Sequence, residues 1–243
     1  MRTPPMFTIF AHQKISSDVK SRTVVIIILS IIIADQALKI WVKTSMLYQE
    51  QIPLIGSWFR LFFIENEGMA WGWKFGGEWG KMALTLFRLV AVIFGVFYIR
   101  SIVKKKMHPG FIVCAALIFA GALGNLIDSL FYGLIFSPSD LGTPLATMFP
   151  ESGGYAGFLH GRVVDMLYVP IIEDKMLPGW VPLWGGERFT FFSPIFNIAD
   201  ASISVGVILL LIFQKKFFKK HPQEEPGPNL ETDTPVNDTV RAL

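Results

Sequence analysis

The sequence predicts an all-α membrane protein: four transmembrane helices, both termini cytoplasmic, and a small extracytoplasmic platform of β-rich chain and loops. Three observations carry this. Only 17% of the 243 residues are charged and 52% are hydrophobic, where soluble domains usually carry about 25% charged residues; the mean hydropathy is +0.47. Four runs, 23–43, 82–103, 110–132 and 196–213, are apolar over about the 20 residues that cross a bilayer core. Basic residues gather at alternate ends of those runs.

Residues 1–22 form a polar cytoplasmic segment carrying Lys14, Lys20 and Arg22. No small-residue cleavage site follows the first apolar run, so that span is expected to be retained rather than removed as a signal peptide. The first span is built on VVIIILSIIIA. The outer loop 44–81 holds Arg60 and Lys74 against Glu50, Glu65, Glu67 and Glu78. The second span ends at Arg100, Lys104, Lys105 and Lys106, which hold the turn into the third span inside. The second outer loop, 133–195, is long and rich in Gly, Pro and aromatics; structureless loops of that length are uncommon and usually functional. Lys215, Lys216, Lys219 and Lys220 keep the end of the fourth span inside. The tail 214–243 is basic, then rich in Pro, Glu, Asp and Asn, and is expected to be disordered. Backbone polar groups must be satisfied internally in lipid, so each span is read as a helix. Trp58, Trp71, Trp73, Trp79, Trp180 and Trp184 all fall in the outer loops, as interfacial anchors do.

Several chemistries are excluded early. The net charge of +3 is not gathered on a soluble basic face, so nucleic acid is not a partner. Cys114 is the one cysteine and sits in an apolar run as a small hydrophobe. No Cys/His spacing suggests zinc, and no glycine-rich phosphate loop follows a strand. No metal or cofactor is expected.

The informative residues are polar ones inside spans: Asp35, Lys39, Arg88, Asp128 and Asp200, with Asn125 and Asn197. An ionisable residue there costs at least about 2.5–3.5 kcal/mol near the helix centre. At about 1.5 Å of rise per residue, Asp35 lies roughly 18 Å and Asp128 roughly 26 Å up from the inner ends of their spans. Arg88 and Asp200 lie roughly 9 Å and 6 Å below the outer ends of theirs. All converge on the outer half of the membrane. Asn125 and Asp128 share one helix face, Asn197 and Asp200 repeat the spacing, and Asp35 can pair with Lys39. Gly121 and Gly124 let another helix approach closely. The four helices can therefore enclose a polar pocket that opens outward. The Asp35–Lys39 pair is explicable as structural, and Arg88 as a counter-ion or a snorkelling side chain; Asp200 beside Asn197 is the hardest to explain by structure alone.

No serine, cysteine or lysine has a convincing nucleophile setting; Ser202 and Ser204 lack a histidine to activate them. Two facing aspartates can share one proton, the ionised one accepting from water and the protonated one donating to a substrate carbonyl. That hydrolyses a peptide bond without a cofactor. Asp200 is one partner; Asp128, Asp165 and Asp35 are all candidates for the other, and spacing does not choose among them.

Five segments, in order, resemble the lipoprotein signal peptidase (signal peptidase II) family: Asp35-Gln36-Ala37-Leu38-Lys39, Asn66-Glu67-Gly68-Met69-Ala70-Trp71-Gly72, Gly121-Ala122-Leu123-Gly124-Asn125-Leu126-Ile127-Asp128, Gly161-Arg162-Val163-Val164-Asp165, and Phe196-Asn197-Ile198-Ala199-Asp200. The resemblance covers about residues 23–213. It implies an aspartic endopeptidase that cleaves bacterial prolipoproteins before their diacylglyceryl-modified cysteine, at the outer face of the inner membrane. It implies Asp165 and Asp200 as the catalytic pair. Asp35, Lys39, Asn66, Gly68, Ala70, Asn125, Asp128, Arg162, Asn197 and Ala199 are its implied supporting or substrate-binding residues. Implied partners are lipidated prolipoproteins, membrane lipids and a globomycin-type inhibitor; a monomer is expected. Two departures stand out. Ser129 replaces the arginine usual in the family, with Arg162 as a candidate substitute charge and the choice left open by the sequence. The stretches 137–159 and 170–193 look inserted. The competing reading is a small transporter that relays ions or protons through Asp35, Arg88 and Asp200, which predicts helices broken at mid-membrane.

Overall fold

The computed structural model describes residues 20–66, 77–176, 178–180, 186, 188–191 and 194–218. The expectations for the N-terminal segment, for the tail beyond 218, and for Gly68, Ala70, Trp71, Trp73 and Trp184 fall outside those residues.

The helices are α1 (Ser21–Ser45), α2 (Gly77–Lys104), α3 (Pro109–Ile127) and α5 (Ile198–Phe217); a π-helical turn (Asp128–Tyr132) and the short α4 (Gly133–Ile135) prolong α3. These make four helices long and apolar enough to cross a membrane. The α1, α2 and α3 spans outrun their apolar runs at both ends and α5 outruns its run at the C-terminal end, because backbone hydrogen bonding continues past the hydrocarbon-length stretch. The largest difference is at α2, which starts at Gly77 and so takes Trp79 out of the loop and into its first turn. The last helix begins at Ile198, not at residue 196. Asn197 is its N-cap, accepting from Asp200 N, while the Asp200 side chain accepts from the Asn197 backbone in a capping box.

Half of the most apolar window of the α3 span is buried inside the protein, against 17% for each of the others. This helix is the hub on which α1, α2 and α5 pack. Small residues permit the approach. A Cβ on Gly121 would overlap Ala199 O, one on Gly124 would sit 2.9 Å from Asp35 Oδ2, and one on Gly206 would sit 2.9 Å from Cys114 O. The contact expected of Gly121 and Gly124 is thus with both α1 and α5. Phe87, Phe94, Val90 and Leu211 point outward from the bundle, as lipid-facing positions would.

The connections between the helices carry the strands. Strands β1 (Gln51–Ile55), β2 (Phe59–Asn66), β3 (Val163–Tyr168) and β6 (Ile195–Phe196) form one antiparallel sheet in the order β1-β2-β3-β6. Strands β4 (Ile172–Met176) and β5 (Arg188–Phe191) form a separate two-stranded antiparallel sheet within 170–193. In β2–β3, Ile64 faces Asp165, Glu65 faces Val164 and Asn66 faces Val163. A core of Val42, Met46, Leu61, Phe63, Tyr132, Phe136, Val164 and Met166 joins the sheet to the ends of α1 and α3. The 137–159 segment stitches onto the same helix end: Ala156 N donates to Gly133 O at 2.9 Å and Tyr155 N to Phe136 O at 3.0 Å. Gly161 N, just beyond, donates to Ser129 O at 2.9 Å. These bonds occupy carbonyls that a helix end would otherwise leave unsatisfied.

Candidate active site

The site grows from Lys39, whose ammonium is fully buried on α1. Its three protons meet three acceptors: Asp35 Oδ2 at 2.9 Å, Asp128 Oδ2 at 2.8 Å and Asn125 Oδ1 at 2.9 Å. Asp35 is therefore the structural ion pair the spacing suggested, enlarged to a triad by Asp128. Asp35 Oδ1 also accepts from Ala199 N at 2.9 Å, which ties α1 to the first turn of α5. Gln36 donates to Asp128 Oδ1 at 2.9 Å and to Asp35 Oδ2 at 3.1 Å, and accepts from Tyr132 Oη at 3.1 Å. Asp128 opens the π-helical turn, a rare conformation that often marks functional sites.

Two asparagines connect this base to two further carboxylates. Asn125 Nδ2 donates to Asp200 Oδ1 at 2.7 Å. Asn197 Nδ2 donates to Asp165 Oδ1 at 2.7 Å and to Asn125 Oδ1 at 3.1 Å. Asn66 also hydrogen-bonds Asp165. Asp165 and Asp200 thus hang on one amide pair, Asp165 from buried β3 and Asp200 from half-buried α5. Burial pushes the Asp165 carboxyl up to about 7, and the Asp200 charge adds to the rise; Lys39, Asn66 and Asn197 pull the other way without cancelling it.

Arg88 on α2 donates Nη1 to Ser129 Oγ at 3.2 Å, and its charge acts on Asp200, then Asp128 and Asp165. Arg162 does not take that place. It pairs with Glu65 Oε2 at 3.4 Å and Asp140 Oδ1 at 3.2 Å, on the other side of the sheet from the amide pair. Burial works against its charge, but Glu65 and Asp140 outweigh burial and raise its pKa. The charge beside Ser129, a place for which Arg162 was one candidate, is therefore that of Arg88.

Of the residues singled out, Asp35, Lys39, Asn66, Asn125, Asp128, Asp165, Asn197, Ala199 and Asp200 come together, and Arg162 lies apart. Gln36, present in the matched segment after Asp35, was not singled out as a site residue; an amide in an apolar span was the available signal. Among the described residues, the only buried side-chain nitrogen or oxygen without a partner is Arg60 Nε, so the buried side-chain polar atoms of the site are matched.

A family model described as signal peptidase (SPase) II matches residues 27–216, from α1 to α5. The chain is 46% identical over 194 residues to the lipoprotein signal peptidase of Porphyromonas gingivalis, covering 79% of this chain and 83% of that protein. It is 34% identical over 215 residues to that of Amoebophilus asiaticus, covering 87% and 85%. Two solved structures, each described as a bacterial membrane enzyme, share the fold with a TM-score of 0.53. One is 24% identical, covering 86% of this chain and 98% of its own; the other is 25% identical, covering 82% and 96%. With the family model matched across every apolar helix and a relative nearly half identical, this chain belongs to the signal peptidase II family.

Proposed function

We propose that the protein is an aspartic endopeptidase that removes the signal peptide of bacterial prolipoproteins, with Asp165 as the acid and Asp200 as the base. The observation that carries the reading is the paired suspension of two carboxylates from Asn125 and Asn197, one of them, Asp165, with its pKa lifted to about 7. A group with that pKa still holds much of its proton at neutral pH. Water then loses a proton to Asp200 as its oxygen bonds to the scissile carbonyl carbon, and Asp165 protonates the carbonyl oxygen. The tetrahedral diol collapses: Asp200 returns its proton to the departing amine nitrogen, the C–N bond breaks, and a diol proton restores Asp165. No cofactor enters this cycle.

Both termini lie inside in this reading and the sheet lies outside, at the outer face of the inner membrane. Support comes from Arg22 at the start of α1, Lys104 in the last turn of α2 and Lys215 and Lys216 in the last turn of α5, at the helix ends away from Asp200. A diacylglyceryl-cysteine held at that surface would keep its acyl chains in lipid while the peptide bond enters between α5 and the sheet. In the same reading Gly68 and Ala70, which follow Asn66 in the sequence, help hold the substrate. Inhibition by globomycin and activity as a monomer in lipid are part of the same reading. The relay alternative has no supporting observation: Asp35, Lys39, Asp128 and Gln36 close on one another rather than leading between helix ends.

The test is cleavage of a lipidated prolipoprotein by the purified protein beside Asp165→Asn and Asp200→Asn. Cleavage before the lipidated cysteine by wild type, and none by either folded variant, is the expected result. Full activity in Asp165→Asn would remove it from the pair and bring Asp128 forward; an inert wild type would sink the peptidase reading.

A further inference from the structure

Behind the sheet lies a second buried polar cluster that the hydrolytic cycle does not use. Lys43, at the outer end of α1, is fully buried. It is ion-paired to Glu65 Oε1, donates to Ser139 Oγ at 2.8 Å, and lies 5.0 Å from the Tyr155 ring centroid. The other Glu65 oxygen takes Arg162, whose guanidinium also reaches Asp140 and lies 5.4 Å from the same Tyr155 ring. Arg162 N donates to Tyr155 Oη at 2.6 Å. Ser139, Asp140 and Tyr155 all come from the 137–159 segment.

A buried ion pair of this kind seldom stabilises a fold more than apolar residues of equal volume would, so its presence points to specificity. The strand geometry says which specificity. Successive side chains in a strand point to opposite faces. Ile64 and Asn66 share a face with their cross-strand partners Asp165 and Val163, while Glu65 shares the other face with Val164 and, diagonally, with Arg162. A slip of one residue would turn Asp165 toward Lys43 and present Val164 to Asp200. No tight turn sets this register: Glu65 and Arg162 are 97 residues apart in the chain, and the ladder is already irregular between Leu61 and Ile64.

We propose that the 137–159 segment is an active-site clamp: with Lys43, Glu65 and Arg162 it locks the β2–β3 register that turns Asp165 toward Asp200, and Glu65 is the positioning residue at its centre. This rests on the reading of Asp165 and Asp200 as the catalytic pair. Glu65 never touches substrate; it acts through Asn66, the next residue, and through Arg162, three residues before Asp165.

The experiment uses the full-length protein in lipid nanodiscs. Glu65→Gln removes the central charge. The double variant Lys43→Met with Glu65→Leu replaces the buried pair by apolar side chains of similar volume, which guards against a variant that merely fails to fold. Three quantities are read: kcat and KM on a lipidated prolipoprotein, the thermal midpoint, and amide hydrogen exchange by mass spectrometry. The clamp predicts that the double variant keeps its thermal midpoint and KM but loses roughly 10²-fold in kcat, as small misplacements of reacting groups do. Exchange should quicken in peptides covering 163–168 and stay unchanged in α3 and α5. Glu65→Asp should recover part of the lost kcat. A double variant with wild-type kcat and unchanged exchange in 163–168 overturns the clamp, as does exchange that quickens equally in helices and sheet. Full activity in Asp165→Asn strikes the catalytic reading instead, and the exchange arm still reports the register.

Discussion

Replacing Asp165 by asparagine should make the protein more heat-stable at alkaline pH while abolishing its activity. The buried carboxyl titrates at about 7 in the folded protein, against about 3.9 for aspartate in an unfolded chain. Between those values the folded state holds a proton that the unfolded state has lost. The contribution is therefore full below about pH 4 and is lost as pH rises through about 7. At about 1.36 kcal/mol per pH unit, the rise amounts to about 4 kcal/mol. Asp165 is 3% exposed, so solvent screening takes little from that figure. The amide of Asp165→Asn is neutral at every pH and keeps an acceptor for Asn197 Nδ2. Thermal midpoints followed from pH 4 to 8 in one detergent should show the variant gaining on wild type as pH rises. The gap at pH 8 should be on the order of 10 °C, at about 2–4 °C per kcal/mol for a chain of this size. In the same window wild-type kcat/KM should fall above pH 7, to about one tenth of its maximum by pH 8, as Asp165 loses its proton. A gap that does not change with pH, or that widens on acidification, would refute the assignment of the proton to Asp165.

Three further outcomes follow from the geometry. Lys39→Met leaves Asp35 and Asp128 buried against each other without their cation; it should cost about 3–5 kcal/mol, read as a lowered midpoint in thermal or denaturant unfolding, and an unchanged midpoint contradicts the triad. Gly161→Ala drives a Cβ into Asp128 O, whereas Gly157→Ala meets nothing within 4 Å; the first should collapse cleavage activity and the second leave it intact, and equal activities would show that β3 does not need its close seat on the π-helical turn. Arg88→Met should lower kcat/KM about 10²-fold by removing the cation that faces Asp200, Asp128 and Asp165, with Arg88→Lys recovering part of it; wild-type kinetics in Arg88→Met would return Arg88 to a purely structural role.

The helices, and the polar residues that form the candidate site, were legible before any coordinates because their signals are local. An apolar run of about 20 residues announces a span by itself. Asp35 with Lys39, Asn125 with Asp128, and Asn197 with Asp200 declare a shared face by spacing alone. The capping box that starts α5 is likewise written in four consecutive residues, although its consequence, that residues 195–196 pair with β3 as a strand, was not read from them.

What the chain's own order could not convey is which local faces meet. Asp35, Asp128 and Asp165 were equal candidates to partner Asp200, and spacing left them so. In the folded chain Lys39 joins Asp35 and Asp128 in one triad, while Asn197 bonds Asp165 and Asn125 bonds Asp200, the arrangement on which the proposed pair rests. The choice between Arg162 and Arg88 beside Ser129 was open for a similar reason. Arg162 sits three residues from Asp165 in sequence, but strand alternation and Glu65 carry it to the opposite face of the sheet; Arg88, on a different helix, comes to Ser129. Hydropathy and periodicity are properties of a short stretch, whereas these choices depend on contacts such as Gln36 with Asp128, 92 residues apart. Such contacts exist only once helix packing and strand register have closed the chain on itself.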